Sequence, residues 1–236
     1  MRKLFKKAMA TALIVGFVVG GVNIPTAHAL NLGQIAAGLL GSTGDINKAN
    51  EKMLENFYYS MGLLSAAYQN LRIATDDSIA NKQLITQEQA ARSAVRSTDA
   101  GVQMRNGAEQ SRNDAENIRT YLSAALASGD EERLKQIDSF VKTANNQRLL
   151  SDVMAGVSYT QAGMIILSQV RNVAGGNLEG LGNIIVVAKE VEQLLKVRKE
   201  LSKTLKDATE EYRKARGIKD PSKKEQKAAA EQIERG

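Results

Sequence analysis

The chain has 236 residues, with 32 Lys and Arg against 26 Asp and Glu, no cysteine, and a single histidine, His28. Without cysteine it can form no disulfide and no Cys-His catalytic set. With one histidine, near the N-terminus, the sequence does not favour a Ser-His-Asp triad. It does not favour a zinc, copper or haem site either, because these bind through imidazole and thiolate. We therefore expect no metal, no cofactor and no enzymatic activity, with a carboxylate-based enzyme as the alternative that composition leaves open.

The first 29 residues have the three parts of a secretory signal. Four basic residues come first, at positions 2, 3, 6 and 7, and an apolar stretch of 15 residues follows, from Ala8 to Val22. Ala27 and Ala29 then form the A-x-A pattern that signal peptidase reads. The apolar stretch is shorter than the roughly 20 residues of a membrane-spanning helix. We expect cleavage after Ala29 and an exported protein, located in the periplasm or at the cell surface.

The net charge of +6 depends strongly on that signal. Without residues 1–29 the chain keeps 28 basic and 26 acidic residues, a net charge of +2. A nucleic-acid-binding surface is strongly basic, with aromatic residues between the charges. We therefore expect no nucleic acid as a partner. Envelope proteins, or a second copy of this chain, are the partners that we expect.

Proline usage indicates the fold class, because none occurs between Pro25 and Pro221. Proline inside a helix costs about 3 kcal/mol, and the apolar residues recur at spacings of three and four. The sequence predicts an all-α protein. Its expected form is an elongated up-down antiparallel helical bundle of about four long helices with coiled-coil-like seams, over residues 45–217. A short segment, residues 30–44, precedes the bundle.

The first helix is predicted from Ile46 to Ala74 by its apolar stripe. Phe57, Tyr58 and Tyr59 on this helix are the densest aromatic group of the chain. Packing in the core is the first interpretation, because aromatics at helical spacing usually pack. A partner-binding patch is the alternative.

The second helix is predicted to follow a capping box at Thr86 and Gln89 and to end at Gly129. Its apolar seam is thin, since small and charged residues bury little apolar area. Arg105 and Arg112 fall on this seam in the middle of the helix. We predict that this stretch is exposed or kinked, or that a partner docks there.

The third helix is predicted to begin after Asp130, with two glutamates in the first turn, where the helix dipole favours negative charge. Gly175 and Gly176 are predicted to form the turn before the fourth helix, and a hinge is the functional alternative. The fourth helix, with near-heptad spacing, is predicted to run to Ala215, and Gly217 is predicted to stop it.

Residues 164–188 are the most apolar part of the chain after the signal. They contain the stretches MIIL and NIIVVA on either side of the glycine turn. Core packing is the first interpretation, because the run falls short of the 18 or more apolar residues of a spanning helix. Insertion of this hairpin into a membrane is the alternative, and it would add the membrane to the expected partners.

The C-terminal tail, residues 218–236, is polar and basic, and its final segment is predicted to be either a short solvated helix or without fixed structure. A solvated end is the first interpretation. Weak attraction to an anionic surface is the alternative, at about 1 kcal/mol per basic residue near the surface. The basic residues concerned are Lys214, Arg216, Lys219, Lys223, Lys224 and Lys227.

These features together predict a non-enzymatic helical protein of the cell envelope that acts through protein–protein interaction. A structural, adaptor, or secretion- or conjugation-accessory role fits this description. One alternative is a membrane-active helical protein that uses the hairpin of residues 164–188. Another is a periplasmic holdase-type chaperone, which differs by binding many unfolded clients.

Overall fold

The computed structural model of the chain describes residues 44–79, 82–92, 100–174 and 181–235. These residues form helices and short connections, with no strand among them, so the predicted all-α class is confirmed for this part of the chain. The signal sequence, the segment 30–43 and the glycines at 175 and 176 lie outside it. The helices are α1 (Gly44–Thr75), α2 (Gln87–Arg92), α3 (Ala100–Ser128), α4 (Glu131–Ala174), α5 (Leu181–Ala215) and α6 (Lys223–Arg235).

Local capping signals set the starts of α2 and α4, as predicted. The predicted second helix corresponds to α2 and α3, and residues 93–99 between them lie outside the described residues. The Thr86 N–H donates to Gln89 Oε1 at 2.9 Å, and the Gln89 N–H donates to Thr86 Oγ1 at 3.2 Å. Asp130 Oδ1 accepts the N–H groups of Glu132 and Arg133, each at 3.1 Å. These bonds satisfy backbone donors that have no partner within the first turn of a helix.

Glycines with positive φ end α3 and α5, which also confirms the prediction. Gly129 has φ of 65° and Gly217 has φ of 64°. The Gly217 N–H donates to the Lys214 carbonyl at 3.3 Å, and the Ile218 N–H donates to the Arg213 carbonyl at 2.9 Å. This pair of bonds is the Schellman arrangement, and Ile218 packs against the core beyond it.

Gly217→Ala is expected to lower the free energy of unfolding by about 1 kcal/mol, because a Cβ is disfavoured at positive φ. Urea denaturation followed by circular dichroism measures the change. Gly156→Ala is the matched control. Gly156 lies inside α4, and apart from the neighbouring backbone of that helix no described atom is within 4 Å of the position of its Cβ. This substitution is therefore expected to raise stability by about 0.5–1 kcal/mol. Changes of the same sign in both variants would contradict this explanation.

Two clusters of buried apolar side chains form the core. The first core cluster joins α1, α3, α4 and α5, and its fully buried members include Leu71, Ile118, Val141 and Leu205. The second core cluster consists of Leu63, Ala66, Ala90, Leu150, Met154 and Ala230. It therefore joins α1 and α4 to the two short helices, α2 and α6.

Hydrogen bonds between helices show how the pairs run. As the residue number of the bonded residue in α1 increases, the residue number of its partner in α4 decreases, so the two helices are antiparallel. The same holds for α4 and α5. The α1–α4 pairs are Met53–Ser158, Ser60–Ser151 and Asn70–Gln147, and the α4–α5 pairs include Leu134–Tyr212 and Asp152–Arg198.

The C-terminal segment is a helix, α6, which begins at a capping box that we did not predict. The Ser222 N–H donates to Glu225 Oε2 at 2.7 Å, and the Glu225 N–H donates to Ser222 Oγ at 3.3 Å. One side of α6 is buried, since Ala230 is 6% exposed in the second core cluster. The helix is thus packed against the rest of the protein near its middle.

Candidate functional site

A buried polar seam lies between α1 and α4, where Ser60 and Ser151 are both fully buried. The Ser60 hydroxyl donates to the Ser151 carbonyl at 2.9 Å, and the Ser151 hydroxyl donates to the Ser60 carbonyl at 2.6 Å. Because each side chain is small and bonds the backbone of the other helix, the two helices approach closely here. A larger residue at either position would separate them.

Two buried amides extend this seam to the connection before α2. Asn70 Nδ2 donates to Gln147 Oε1 at 2.9 Å, and Gln147 Nε2 donates to the Ile85 carbonyl at 2.7 Å. The Ile85 N–H in turn donates to Asn70 Oδ1 at 2.8 Å. The amides satisfy each other and the backbone of the connection, which fixes the position of residues leading into α2.

Three buried arginines and two aspartates form a second polar group, which we call the arginine cluster: Arg148, Arg198, Arg213, Asp152 and Asp220. The arginine side chains are only 6%, 5% and 10% exposed, respectively. Asp152 accepts hydrogen bonds from Arg148 at 3.2 Å and from Arg198. Asp220 accepts from Arg213, and from Asn145 Nδ2 at 2.9 Å. The cluster ties α4 to α5 and to the connection before α6.

The electrostatics of the arginine cluster follow from burial and from its three-to-two charge ratio. Burial lowers the pKa of Arg148; Asp152 opposes that effect, and the charge of Arg213 adds to it. Burial alone would raise the pKa of Asp220, but the hydrogen bond from Asn145 and the charges of Arg213 and Arg148 bring it below the usual range. The five side chains together carry one net positive charge.

A third polar group surrounds a small cavity between the connection after α1 and the start of α4. The Tyr121 hydroxyl donates to Asp77 Oδ1 at 2.6 Å, and Arg133 donates to the Tyr121 oxygen at 2.7 Å and to Asp77 at 2.9 Å. The cavity measures about 50 Å³. That is room for one or two water molecules, whereas small-molecule sites begin at about 300 Å³. These side chains hold the connection after α1 in place, and the cavity among them is too small for a substrate.

The predicted aromatic patch lies mainly within the protein. Phe57 is 5% exposed and belongs to the first core cluster, against which the half-buried Tyr58 also packs. Tyr59 packs against the second core cluster, and its hydroxyl donates to Glu55 at 3.1 Å. These rings contribute to packing, and Phe57 presents almost no surface to a partner in this arrangement.

Other predicted positions are only partly within the described structure. Arg105 and Arg112 lie on α3, but their side chains lie outside what the structure describes. The candidate hinge at Gly175 and Gly176 lies outside the described residues altogether. The same is true of the side chains of the apolar hairpin, residues 164–188.

The basic residues of the C-terminal region separate into two groups. Lys214 is paired with Glu210 at 2.7 Å on the surface. Arg216 is largely buried and binds Asp138 and Glu131, and these hydrogen bonds raise its pKa. Arg216 therefore holds α4 and α5 together, a role that its place in a basic run did not indicate. The remaining four are exposed: Lys219, Lys223, Lys224 and Lys227.

One exposed face of α4 was not singled out from the sequence. Tyr159 is 57% exposed, and the exposed residues Gly156 and Gly163 lie three positions before and four after it, on the same side of the helix. Apart from the neighbouring backbone of α4 itself, no described atom is within 4 Å of a Cβ placed on either glycine. We call these three residues the Tyr159 face. The spacing G-x-x-Y-x-x-x-G was its only sequence signal.

Neither a metal site nor a membrane span is evident in the described ranges. No group of three or more His, Cys, Asp or Glu there is placed to hold a metal ion. No helix searched within those ranges is both long enough and apolar enough to cross a membrane. The described fold and sites therefore define an all-helical protein in which buried charges and amides join the helices.

Comparison with known proteins adds no family: no protein-family model, no curated protein and no solved structure matches this chain. The proposals below therefore rest on its own residues.

Proposed function

We propose that this chain is an exported, non-enzymatic helical protein of the cell envelope that acts by binding other proteins. The observation that supports this most directly is the Tyr159 face. Tyrosine is enriched in protein interfaces and among their energetically dominant residues. Glycine allows another backbone to come close, and each glycine inside a helix costs about 1 kcal/mol relative to alanine. A helix packed on this face would account for that loss of stability.

The finer architecture belongs to the same proposal. We propose that α1, α3, α4 and α5 form an elongated helical bundle with coiled-coil-like seams, and the first core cluster, to which all four helices contribute, supports it. The predicted up-down antiparallel order does not fit, because the first and third long helices of such a bundle run parallel, whereas α1 and α4 are antiparallel. At 1.5 Å per residue, helices of 29 to 44 residues are about 45–65 Å long. Such a bundle would offer long faces for partners.

Export is proposed from residues 1–29, and it has a direct test. Protein recovered from the envelope or medium of the native host is expected to begin at Leu30 when its N-terminus is sequenced. A chain that keeps Met1 and stays in the cytoplasm would remove both the export and the envelope location from the proposal.

Site-specific photo-crosslinking tests the proposed contact surface. A photoreactive amino acid at position 159, in the intact envelope of the native host, is expected to give adducts with one or a few defined proteins. The control position is Ser139, which is exposed on the same helix and about 200° around it from Tyr159. Adducts at both positions alike would argue against a specific face.

The Tyr159 face also predicts an unusual combination of effects. Tyr159→Ser and Gly163→Leu are expected to weaken partner binding by about tenfold or more, as loss of an interface residue of this kind commonly does. Gly156→Ala is expected to weaken binding while it stabilises the isolated protein. Affinity measured with the captured partner, beside urea denaturation of the free protein, separates the two effects. Binding that follows stability in all three variants would contradict the proposal.

The same crosslinking experiment distinguishes the alternatives. Adducts with lipid alone would favour the membrane-active protein that uses residues 164–188, and dye release from liposomes would then follow. Adducts with many unrelated unfolded proteins would favour the holdase-type chaperone. The absence of any protein adduct at position 159 would contradict the proposal in its present form.

A further inference from the structure

The arginine cluster contains two buried donors without an acceptor. Nε of Arg148 and Nε of Arg213 make no hydrogen bond, although both side chains are at least nine-tenths buried. Nε of Arg198 and Nε of Arg216, in contrast, donate to Ser151 at 3.3 Å and to Asp138 at 3.1 Å. A buried donor without a partner costs about 1–3 kcal/mol, and more when the group is charged.

The charge of the cluster is also unbalanced. Asp152 serves Arg148 and Arg198 together, and Asp220 serves Arg213, so two carboxylates face three guanidinium groups. The nearby carboxylates of Asp138 and Glu131 are engaged by Arg216. A buried charge is tolerated only when it is paired. One further negative charge would balance the cluster.

The two unpartnered Nε–H groups belong to arginines on either side of one amide–carboxylate pair. Arg148 donates through Nη2 to Asn145 Oδ1 at 3.1 Å, while Asn145 donates to Asp220, which accepts from Arg213. Both donors thus belong to one local network. Asp152 and Asp220 are 39% and 51% exposed, so the edge of the network meets solvent.

We propose that the arginine cluster binds one small inorganic oxyanion, of the phosphate or sulfate class, with Nε of Arg148 and Nε of Arg213 as donors. Guanidinium groups suit this ligand because their N–H groups form strong, charge-assisted hydrogen bonds to oxyanion oxygens. The aspartates keep their present arginine partners, and the anion adds the missing negative charge. Because Asp220 lies three residues before the start of α6, the bound anion would also strengthen the attachment of the C-terminal helix.

Nuclear magnetic resonance of the exported chain labelled with ¹⁵N-arginine tests this directly. Phosphate replaces chloride stepwise at constant sodium concentration and pH. The Nε–H signals of Arg148 and Arg213 are expected to move saturably, because they gain an acceptor. Those of Arg198 and Arg216 are expected to stay in place, because each already has one. Single Arg→Lys variants assign the four signals.

A substitution at Arg213 distinguishes a loss of anion binding from a loss of folding. Arg213→Lys keeps the charge and removes the Nε donor, and it is expected to weaken the phosphate response of the Arg148 signal by at least tenfold. Arg216→Lys is the matched control and is expected to leave that response unchanged. A linear drift of all four signals with phosphate, or no shift, would overturn the site. An equal response to added chloride, measured from a fluoride background, would overturn its assignment to oxyanions.

Discussion

Replacement of Asp152 by alanine is expected to lower the free energy of unfolding by about 3–5 kcal/mol, the range for a broken buried ion pair. Asp152 is itself 39% exposed, but its partners Arg148 and Arg198 are almost completely buried. The substitution would leave two guanidinium groups inside the protein without their carboxylate. It would also remove the acceptor of the Ser202 hydroxyl, which donates to Asp152 at 2.9 Å.

Two comparisons identify the cause of that loss. Glu210→Ala removes an exposed pair with Lys214 and is expected to leave stability almost unchanged. Asp152→Asn keeps an oxygen acceptor but loses the charge, so an intermediate value is expected. Urea denaturation followed by circular dichroism gives all three free energies. A cost for Asp152→Ala as small as that for Glu210→Ala would mean that the buried arginines are stabilised in another way.

The helix ends were predictable because the residues that set them are close together in the sequence. The capping box at Thr86 depends on a side chain three residues away, and Asp130 bonds N–H groups two and three residues away. Gly217 ends α5 through its own backbone conformation. The box at Ser222 and Glu225 has an equally local signal, S-K-K-E, and could have been recognised.

The polar groups of the interior were not predictable in the same way. Arg148 and Asp152 are four residues apart, a spacing that usually indicates a pair on an exposed helix surface. Burial of the pair depends on Arg198, 46 residues beyond Asp152. Arg216 stands in a basic run, yet its partner Asp138 is 78 residues earlier. Only the packing of α4 against α5 brings such residues together, and no local pattern encodes that packing.

The Tyr159 face could not be predicted from the sequence for a different reason. Its three residues are close in sequence, but their spacing alone is compatible with a core position, because small residues also occur where helices pack. Its exposure follows from which side of α4 faces α1 and α5, as set by Ser151, Ser158 and Asp152. The exposed face of a helix such as α4 can be identified only after its buried face is known.

The unfolding free energy is expected to fall by about 5 kcal/mol between pH 10 and pH 12, because of two buried tyrosines. The Tyr68 hydroxyl donates to the Leu201 carbonyl at 2.9 Å. The Tyr212 hydroxyl lies 3.1 Å from the Leu134 carbonyl and 2.9 Å from Asp138 Oδ1, and can donate to either. Burial raises the pKa of both phenols well above the usual value, with a further contribution from Asp114 for Tyr68 and from Asp138 for Tyr212.

Stability falls with rising pH because the folded chain keeps the two tyrosine protons at a pH where the unfolded chain loses them. Below about pH 10 both tyrosines are protonated in the folded and the unfolded chain, and their contribution to stability is complete. Above that pH the unfolded chain loses these protons while the folded chain retains them. The free energy of unfolding then falls by about 1.4 kcal/mol per pH unit for each tyrosine, because ionisation favours the unfolded chain.

Phenylalanine variants test the assignment of this pH dependence. Tyr68→Phe and Tyr212→Phe are each expected to cost about 1 kcal/mol at pH 7, where only a hydrogen bond is lost. Each is also expected to reduce the slope above pH 10 by about 1.4 kcal/mol per pH unit. Tyr159→Phe, at an exposed side chain, is the control for the loss of a hydroxyl group at pH 7. If the double variant kept the full slope, the loss of stability at high pH would have to come from other groups that titrate there, and the two phenols could not be the groups that hold their protons in the folded state.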